Sequence, residues 1–238
     1  MTQIPAKNIE TARFNMIEQQ VRTWDVLDPK VLQLLHDVPR ENFVPQAYQG
    51  LSFADLEIPL SNQNHSNEIK SAENSDAGQT MLSPKLEGRI LQALNIQKTD
   101  HVLHIGTGSG YFTALLASFA KHVCSIEIDA ELSATAAYKL SQHHFHNVSL
   151  ELADGIAGMP SQAPFDVIVL TGSSPAEPPN LRAQLAIGGR LFIVLGHAPA
   201  MQATLIQRVS ETAYKEDVLF ETCVPELENA TQNSSFEF

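Results

Sequence analysis

The chain has 238 residues, 43% of them hydrophobic, which suits one large globular domain or one domain with an elaborated end. Its formal net charge of −12 disfavours nucleic-acid binding, because an acidic chain repels phosphate backbones. No apolar run is long enough to span a membrane, and the first residues, MTQIPAKNIE, lack the pattern of a signal peptide, so we expect a cytoplasmic protein.

Two amphipathic helices are predicted near the start of the chain. In RFNMIEQQVRTW, a stripe formed by Phe14, Ile17, Val21 and Trp24 has helical spacing. In LDPKVLQLLHDVPREN, Asp28 can cap a second helix. A proline-containing connection follows, so residues 1–60 are predicted to form a helical portion packed on the rest of the protein.

Two polar segments stand apart from this pattern. Residues 61–77 contain a single large apolar side chain, Ile69, so we expect a mobile surface insertion. In residues 211–238, seven acidic residues accompany one lysine, which favours a solvated end over a partner site. We therefore predict an acidic C-terminal tail over 226–238.

Helical and strand patterns alternate between these segments, over residues 78–225. Near-continuous apolar runs such as FDVIVLTG and RLFIVLGH are typical of strands buried on both faces. The last two strand patterns are separated by only a short turn, which indicates an antiparallel pair at a sheet edge. The predicted fold is therefore α/β, with a doubly wound, mostly parallel sheet and antiparallel edge strands.

A glycine-rich turn follows the first of these strands, in HVLHIGTGSGYF. Its glycines are Gly106, Gly108 and Gly110, and Tyr111 stands where a dinucleotide fingerprint has its third glycine. The spacing therefore disfavours a nicotinamide-dependent oxidoreductase, and no Gly-Lys-Ser/Thr follows to make a phosphate-binding loop. Glu127 ends the next strand, where a carboxylate can accept hydrogen bonds from ribose hydroxyls.

Asp154 ends the third strand and is placed to meet an adenine amino group. A nucleoside without a pyrophosphate suits this arrangement. The sequence therefore predicts S-adenosylmethionine as the cofactor, with S-adenosylhomocysteine as the product.

Several segments together resemble the protein-L-isoaspartate O-methyltransferase family. They are IGTGSGY, SIEI, ADG and DVIVLTGSSP in the sheet, preceded by MIEQQVR, VPRENFVPQAY and GQT. The resemblance extends from about residue 14 to about residue 225. It implies a methyltransferase fold with an N-terminal helical portion, acting on protein or peptide substrates that carry an isoaspartyl-type carboxylate.

The candidate cofactor contacts follow from the spacing and from this resemblance. They are His104, Gly106, Thr107, Gly108, Ser109, Gly110, Glu127, Ile128, Asp154, Gly155 and Thr171. We expect Thr80 and Thr171 to line the methyl-bearing end. No acid–base pair is required, because an ionised carboxylate is already a nucleophile and the protein mainly aligns it in a water-poor pocket.

The chain departs from the family pattern where the substrate carboxylate is held. The family has Ile-Ser-Gln-Pro after GQT, and its serine position is Leu82 in this chain. Ser83 is one residue late and precedes Pro84, which is typical of a helix N-cap. Thr80 and Ser83 remain the catalytic candidates.

A second departure is His104, where the family has an acidic residue before the glycines. A neutral His104 could accept a hydrogen bond from the methionine ammonium, or the ring could be turned away from the cofactor.

The remaining histidine cluster and the two cysteines are interpreted as structural residues without a catalytic or metal-binding role. His143, His144 and His146 lie at a predicted helix-to-strand turn without partners at ligand spacing, so no metal site is predicted. Cys124 and Cys223 are interpreted as reduced, buried thiols.

Two functions remain open from the sequence. One is a carboxyl methyltransferase of isoaspartyl-type residues, weakened by Leu82. The other is a cofactor-binding relative that does not methylate isoaspartate and has a different acceptor or a binding role. The sequence indicates nothing about the oligomeric state.

Overall fold

A seven-stranded β-sheet forms the centre of the computed structural model, which describes residues 6–60 and 78–232. A separate antiparallel pair is formed by β1 (Ile58–Pro59) and β2 (Thr80–Met81). The strands of the large sheet are β3 (His101–Ile105), β4 (His122–Glu127), β5 (Val148–Leu152), β6 (Phe165–Ser174), β7 (Leu185–His197), β8 (Ala200–Arg208) and β9 (Tyr214–Thr222). The helices are α1 (Ala6–Met16), α2 (Pro29–Asp37), α3 (Pro84–Leu94), α4 (Tyr111–Phe119) and α5 (Ala130–Gln142).

The strand order in the large sheet is β5-β4-β3-β6-β7-β8-β9. Neighbours from β5 to β7 pair in parallel, whereas β8 pairs antiparallel with both β7 and β9. The chain winds outward from β3 to β5 and then returns to β6 on the other side of β3. This arrangement confirms the predicted doubly wound, mostly parallel sheet with an antiparallel edge.

Alternate residues of the strands supply two buried clusters on opposite faces of the sheet. Val102 and Val123 belong to the cluster that also contains side chains of α2, α3 and α4. Leu103 and Cys124 belong to the other cluster, which is covered by the connections around Met159 and Leu181. The five helices are thus on one side, and shorter connections cover the second face.

The N-terminal portion shares the first cluster, and its second helix begins as predicted. Asp28 Oδ1 accepts a hydrogen bond from Lys30 N at 2.8 Å, which caps α2. The predicted stripe before α2 is only half correct, because Ile17 and Val21 are buried whereas Phe14 is 58% exposed and Trp24 is 44% exposed. A π-helical turn over Ile17–Val21 and a 3-10 turn over Arg22–Trp24 follow α1, so Trp24 does not keep the α-helical spacing of the stripe.

A buried ion pair joins the N-terminal portion to α3. Arg40 donates hydrogen bonds to the Glu87 carboxylate, to Ser52 O at 3.0 Å and to Leu82 O at 2.6 Å. Its guanidinium also lies 5.1 Å from the centre of the Tyr111 ring. All nitrogens of the guanidinium are therefore engaged without water, so Arg40 fixes the position of the residues that lead into α3.

The predicted mobile insertion, residues 61–77, connects β1 to β2 and lies outside the described residues, as do residues 233–238. Within the described ranges, no helix has both the length and the apolar character needed to cross a bilayer.

Candidate active site

The glycine turn lies where the winding of the sheet reverses, between β3 and β6. In open α/β sheets this position leaves a crevice at the carboxyl ends of the strands, where ligands bind. Gly106 and Gly110 have φ values of +93° and +83°, which residues with a side chain rarely adopt. A Cβ on Gly110 would also lie 3.1 Å from the Cβ of Ala136. Glycine is therefore required for both the turn and the close packing of α5.

Glu127 ends β4 next to this turn, because β3 and β4 pair in parallel. Its Oε2 accepts a hydrogen bond from Gly108 N at 2.7 Å. Its Oε1 accepts from Ile128 N and Asp129 N, both at 3.0 Å. A carboxylate has about four acceptor positions, so these three bonds hold Glu127 in place and leave capacity for a ligand hydroxyl.

An open pocket with about 740 Å³ of empty volume, including its mouth, lies against the turn. We call it the switch-point pocket. It is lined by Leu60, Gln79, Thr80, Ile105, Gly106, Gly108, Ile126, Glu127, Ile128, Leu132, Asp154, Gly155, Ile156, Thr171, Gly172, Pro225, Glu226, Leu227 and Glu228.

The structure brings together eight of the predicted site residues in this pocket. They are Thr80, Gly106, Gly108, Glu127, Ile128, Asp154, Gly155 and Thr171. Thr107 and Ser109 are buried beside it instead, since Thr107 Oγ1 lies 2.6 Å from Ser125 Oγ and Ser109 Oγ accepts a hydrogen bond from Tyr111 N. Together with Gly110, they shape the turn without lining the pocket.

His104 does not reach the switch-point pocket. Its Nδ1 lies 2.9 Å from Thr113 Oγ1, and its Nε2 lies 3.1 Å from Thr171 Oγ1. Burial lowers the pKa of His104 to about 3, so the ring is neutral at pH 7. Thr171 Oγ1 donates its proton to Gly106 O at 2.8 Å and therefore accepts from Nε2. Both ring nitrogens of His104 thus have threonine partners, which favours the alternative that the ring is turned away from the cofactor, and we expect His104 to act by holding Thr171.

The segment after β9 forms one wall of the pocket. Ser173 N donates to Pro225 O and Leu227 N donates to Ser173 O, both at 2.9 Å. The Leu227 side chain packs against Gly172, where a Cβ would come within 2.7 Å of it. The backbone of residues 225–228 therefore packs on the end of β6, while the side chains of Glu226 and Glu228 are exposed to solvent.

Thr80, on the short strand β2, contributes a hydroxyl group to one end of the pocket. Its Oγ1 donates to Glu57 Oε2 at 3.2 Å. Burial raises the pKa of Glu57 to about 7, although the bond from Thr80 opposes the rise. No local pattern indicated Glu57, because its partner Thr80 lies 23 positions away and is brought to it by the β1–β2 pair.

The side chains of Leu82 and Ser83, which follow Thr80 in the chain, point away from the pocket. Leu82 is 5% exposed and packs in the hydrophobic core, while its carbonyl accepts the bond from Arg40. Ser83 occupies the N-cap of α3 with Pro84 following, as predicted, although its hydroxyl makes no capping bond. Neither side chain lines the switch-point pocket.

Comparisons with known proteins agree with this geometry. A family model described as protein-L-isoaspartate(D-aspartate) O-methyltransferase matches residues 12–227. The chain is similar to a protein-L-isoaspartate O-methyltransferase of Rhodopseudomonas palustris, at 36% identity over 86% of this chain and 87% of the relative. It is also similar to one of Koribacter versatilis, at 38% identity over 82% of this chain and 81% of the relative.

Two solved structures share the fold. A protein-L-isoaspartate O-methyltransferase superposes with a TM-score of 0.74 at 21% identity, covering 90% of this chain and 65% of that chain. A Plasmodium falciparum structure described as the same enzyme, in complex with S-adenosyl-L-homocysteine, superposes with a TM-score of 0.72 at 17% identity, covering 92% of this chain and 97% of the other.

Proposed function

Because the chain belongs to the protein-L-isoaspartate(D-aspartate) O-methyltransferase family, we propose that it methylates the carboxylate of isoaspartyl-type residues in damaged proteins or peptides. The observation that carries the proposal is the switch-point pocket, which joins Glu127 and the glycine turn to the hydroxyl of Thr80. The similarity over most of the chain supports this enzyme over a cofactor-binding relative without methylation.

The pocket fits S-adenosylmethionine. Glu127 has acceptor capacity for ribose hydroxyls, and Asp154, an exposed residue of the pocket lining, can accept a hydrogen bond from the adenine amino group. A Cβ on Gly155 would meet Ile105 Cγ2 at 2.7 Å, so only backbone fits between the sheet and the ligand there. Leu132 and Ile156 supply apolar surface for the adenine ring. When bound, this cofactor supplies an electrophilic methyl group.

The residues of the pocket act by alignment and exclusion of water. An ionised acceptor carboxylate needs no general base at neutral pH. The hydroxyl of Thr80 can turn from Glu57 to donate to that carboxylate. Thr171, held by His104 and bonded to Gly106 O, fixes the wall of the methyl-bearing end. Catalysis then rests on positioning the acceptor in line with the methyl group.

Turnover on a synthetic isoaspartyl peptide tests the proposed function. We expect incorporation of labelled methyl groups as a base-labile ester, and none with the matched peptide that contains normal aspartate. S-adenosylhomocysteine binding should be measured on the same preparation. Binding without any methylation of the isoaspartyl peptide would reject the proposed acceptor, and absence of binding would reject the proposed cofactor.

Replacement of Leu82 by serine tests whether the family's serine hydroxyl would increase turnover in this chain. Because the Leu82 side chain packs in the hydrophobic core and does not line the switch-point pocket, a serine hydroxyl at this position would not reach the acceptor carboxylate, and we expect no rise in turnover per folded molecule in Leu82→Ser. Truncating this buried leucine also lowers the free energy of unfolding by about 2–5 kcal/mol, so activity must be measured well below the melting temperature. Leu82→Ala is the matched control, because it makes the same space without a hydroxyl. We expect equal turnover in the two variants, and a turnover at least tenfold higher in Leu82→Ser than in Leu82→Ala would contradict this placement of residue 82 and give the hydroxyl a role.

Glu57 should make substrate binding depend on pH. Its carboxyl is neutral below a pKa of about 7 and charged above it, where it repels the acceptor carboxylate. We expect KM for the isoaspartyl peptide to rise about tenfold between pH 6 and pH 8, as for a group that blocks binding when ionised. Glu57→Gln should flatten this rise, whereas Asp55→Asn, at a carboxylate bound to Lys85, should not. A pH-independent KM in the wild-type protein would remove Glu57 from the acceptor site.

A further inference from the structure

Three potential metal ligands meet at the starts of β3 and β4. The parallel register places His101 opposite His122, and Cys124 follows two residues later on the same face of β4. One ligand atom from each of the three residues lies within 4.8 Å of the others, and His101 Nε2 is 3.7 Å from Cys124 Sγ. We call these residues the His–His–Cys cluster.

These distances suit a tetrahedral ion. With Zn–S near 2.3 Å and Zn–N near 2.0–2.1 Å, two ligands on a tetrahedral zinc ion are separated by about 3.3–3.6 Å. The separation of 3.7 Å between His101 Nε2 and Cys124 Sγ already matches one edge of such a tetrahedron. The His122 ligand atom lies within 4.8 Å of the other two, so its side chain must rotate to complete the tetrahedron.

Neighbouring groups hold both imidazole rings in position. The His101 ring stacks 5.0 Å from the Phe165 ring and hydrogen-bonds to the backbone of Pro164. His122 Nε2 lies 3.1 Å from Ser149 Oγ. Such outer contacts orient metal-binding histidines in proteins. Both histidines are half-buried, so an ion can enter from their side, while Cys124 is buried behind them.

We propose that the His–His–Cys cluster binds one borderline-soft divalent cation, with Zn²⁺ as the best match. A thiolate and two imidazoles are zinc ligands, whereas Mg²⁺ and Ca²⁺ require oxygen ligands. The fourth position is filled by water or by Gln162 Oε1, which lies 2.8 Å from Cys124 Sγ. The ion would join β3 to β4 at the end opposite the switch-point pocket, about 13 Å away along β3.

Cobalt titration of the metal-stripped, full-length protein tests this site. Co²⁺ bound by Cys124 gives a near-ultraviolet thiolate-to-metal band, which we expect to saturate at one equivalent, to disappear when Zn²⁺ is added, and to be unaffected by Mg²⁺. Cys124→Ser should abolish the band. His101→Gln and His122→Gln should each weaken Co²⁺ binding at least about tenfold. Cys223→Ser is the matched control and should keep wild-type binding.

Several outcomes would overturn the proposal. They are the absence of the band in the wild-type protein, its persistence in Cys124→Ser, and its loss in Cys223→Ser. If Cys124→Ser does not fold, unchanged Co²⁺ affinity in both histidine variants overturns the proposal equally, since these half-buried positions tolerate glutamine. Binding that depends on His143, His144 and His146 would place the ion in that turn instead.

Discussion

Arg40→Ala should lower the free energy of unfolding by about 3–5 kcal/mol, as expected when one partner of a buried ion pair is removed. The substitution leaves the Glu87 carboxylate buried without its guanidinium, and it removes the donors to Ser52 O and Leu82 O. Chemical denaturation followed by circular dichroism measures the change. Because Arg40 also holds the chain before α3, turnover should fall even at temperatures where the variant is folded.

The pH dependence of this loss identifies its cause. Burial raises the pKa of Glu87 to about 7, and Arg40 opposes that rise, so the variant should raise it further. A folded-state pKa above the unfolded value means that stability falls as pH rises, so the loss should be larger at pH 8 than at pH 6. Arg22→Ala is the control, because its pair with Glu18 is exposed, and it should cost less than about 0.5 kcal/mol. Equal losses in the two variants would contradict the importance of burial.

Glu127→Ala should weaken binding of S-adenosylhomocysteine by a hundredfold or more, about 3 kcal/mol. The alanine removes the proposed partner of the ribose hydroxyls. It also leaves Gly108 N, Ile128 N and Asp129 N without their acceptor, which loosens the turn that the ligand contacts. Isothermal titration calorimetry gives the affinity directly.

Two further variants separate these contributions. Glu127→Gln keeps one acceptor oxygen and the side-chain length, so we expect an intermediate loss. Glu131→Ala removes an exposed carboxylate from the first turn of α5 and should leave affinity unchanged. Unchanged affinity in Glu127→Ala would reject the ribose placement.

The local parts of the site were predictable from the sequence. Gly106 and Gly110 lie in a conformation that glycine favours, so their spacing alone indicated the turn. Glu127 ends β4 and Asp154 follows β5, and the carboxyl ends of parallel strands meet at one edge of a sheet. The near-continuous apolar runs in β6 and β7 likewise indicated buried parallel strands.

The parts that depend on distant partners were not predictable. His104 lies near the end of β3, before the glycine turn, a position that suggests a cofactor contact. The direction of its ring is set by the hydroxyls of Thr113 and Thr171, which are 9 and 67 positions away. The charges near the C-terminus suggested a solvated tail, while the bond of Leu227 to β6 is invisible to local composition. The His–His–Cys cluster depends on the register of two strands, whereas the sequence drew attention to the histidines at 143–146.

The return of residues 225–228 to the end of β6 has a consequence for synthesis on the ribosome. Every strand of the sheet precedes these residues, so the sheet can assemble in a nascent chain whose pocket still lacks one wall. During that interval Gly172 and the glycine turn are open to solvent on the side that Leu227 later covers. We therefore expect tight cofactor binding only after residues 225–228 have left the exit tunnel and packed on β6, whereas the sheet can form before that.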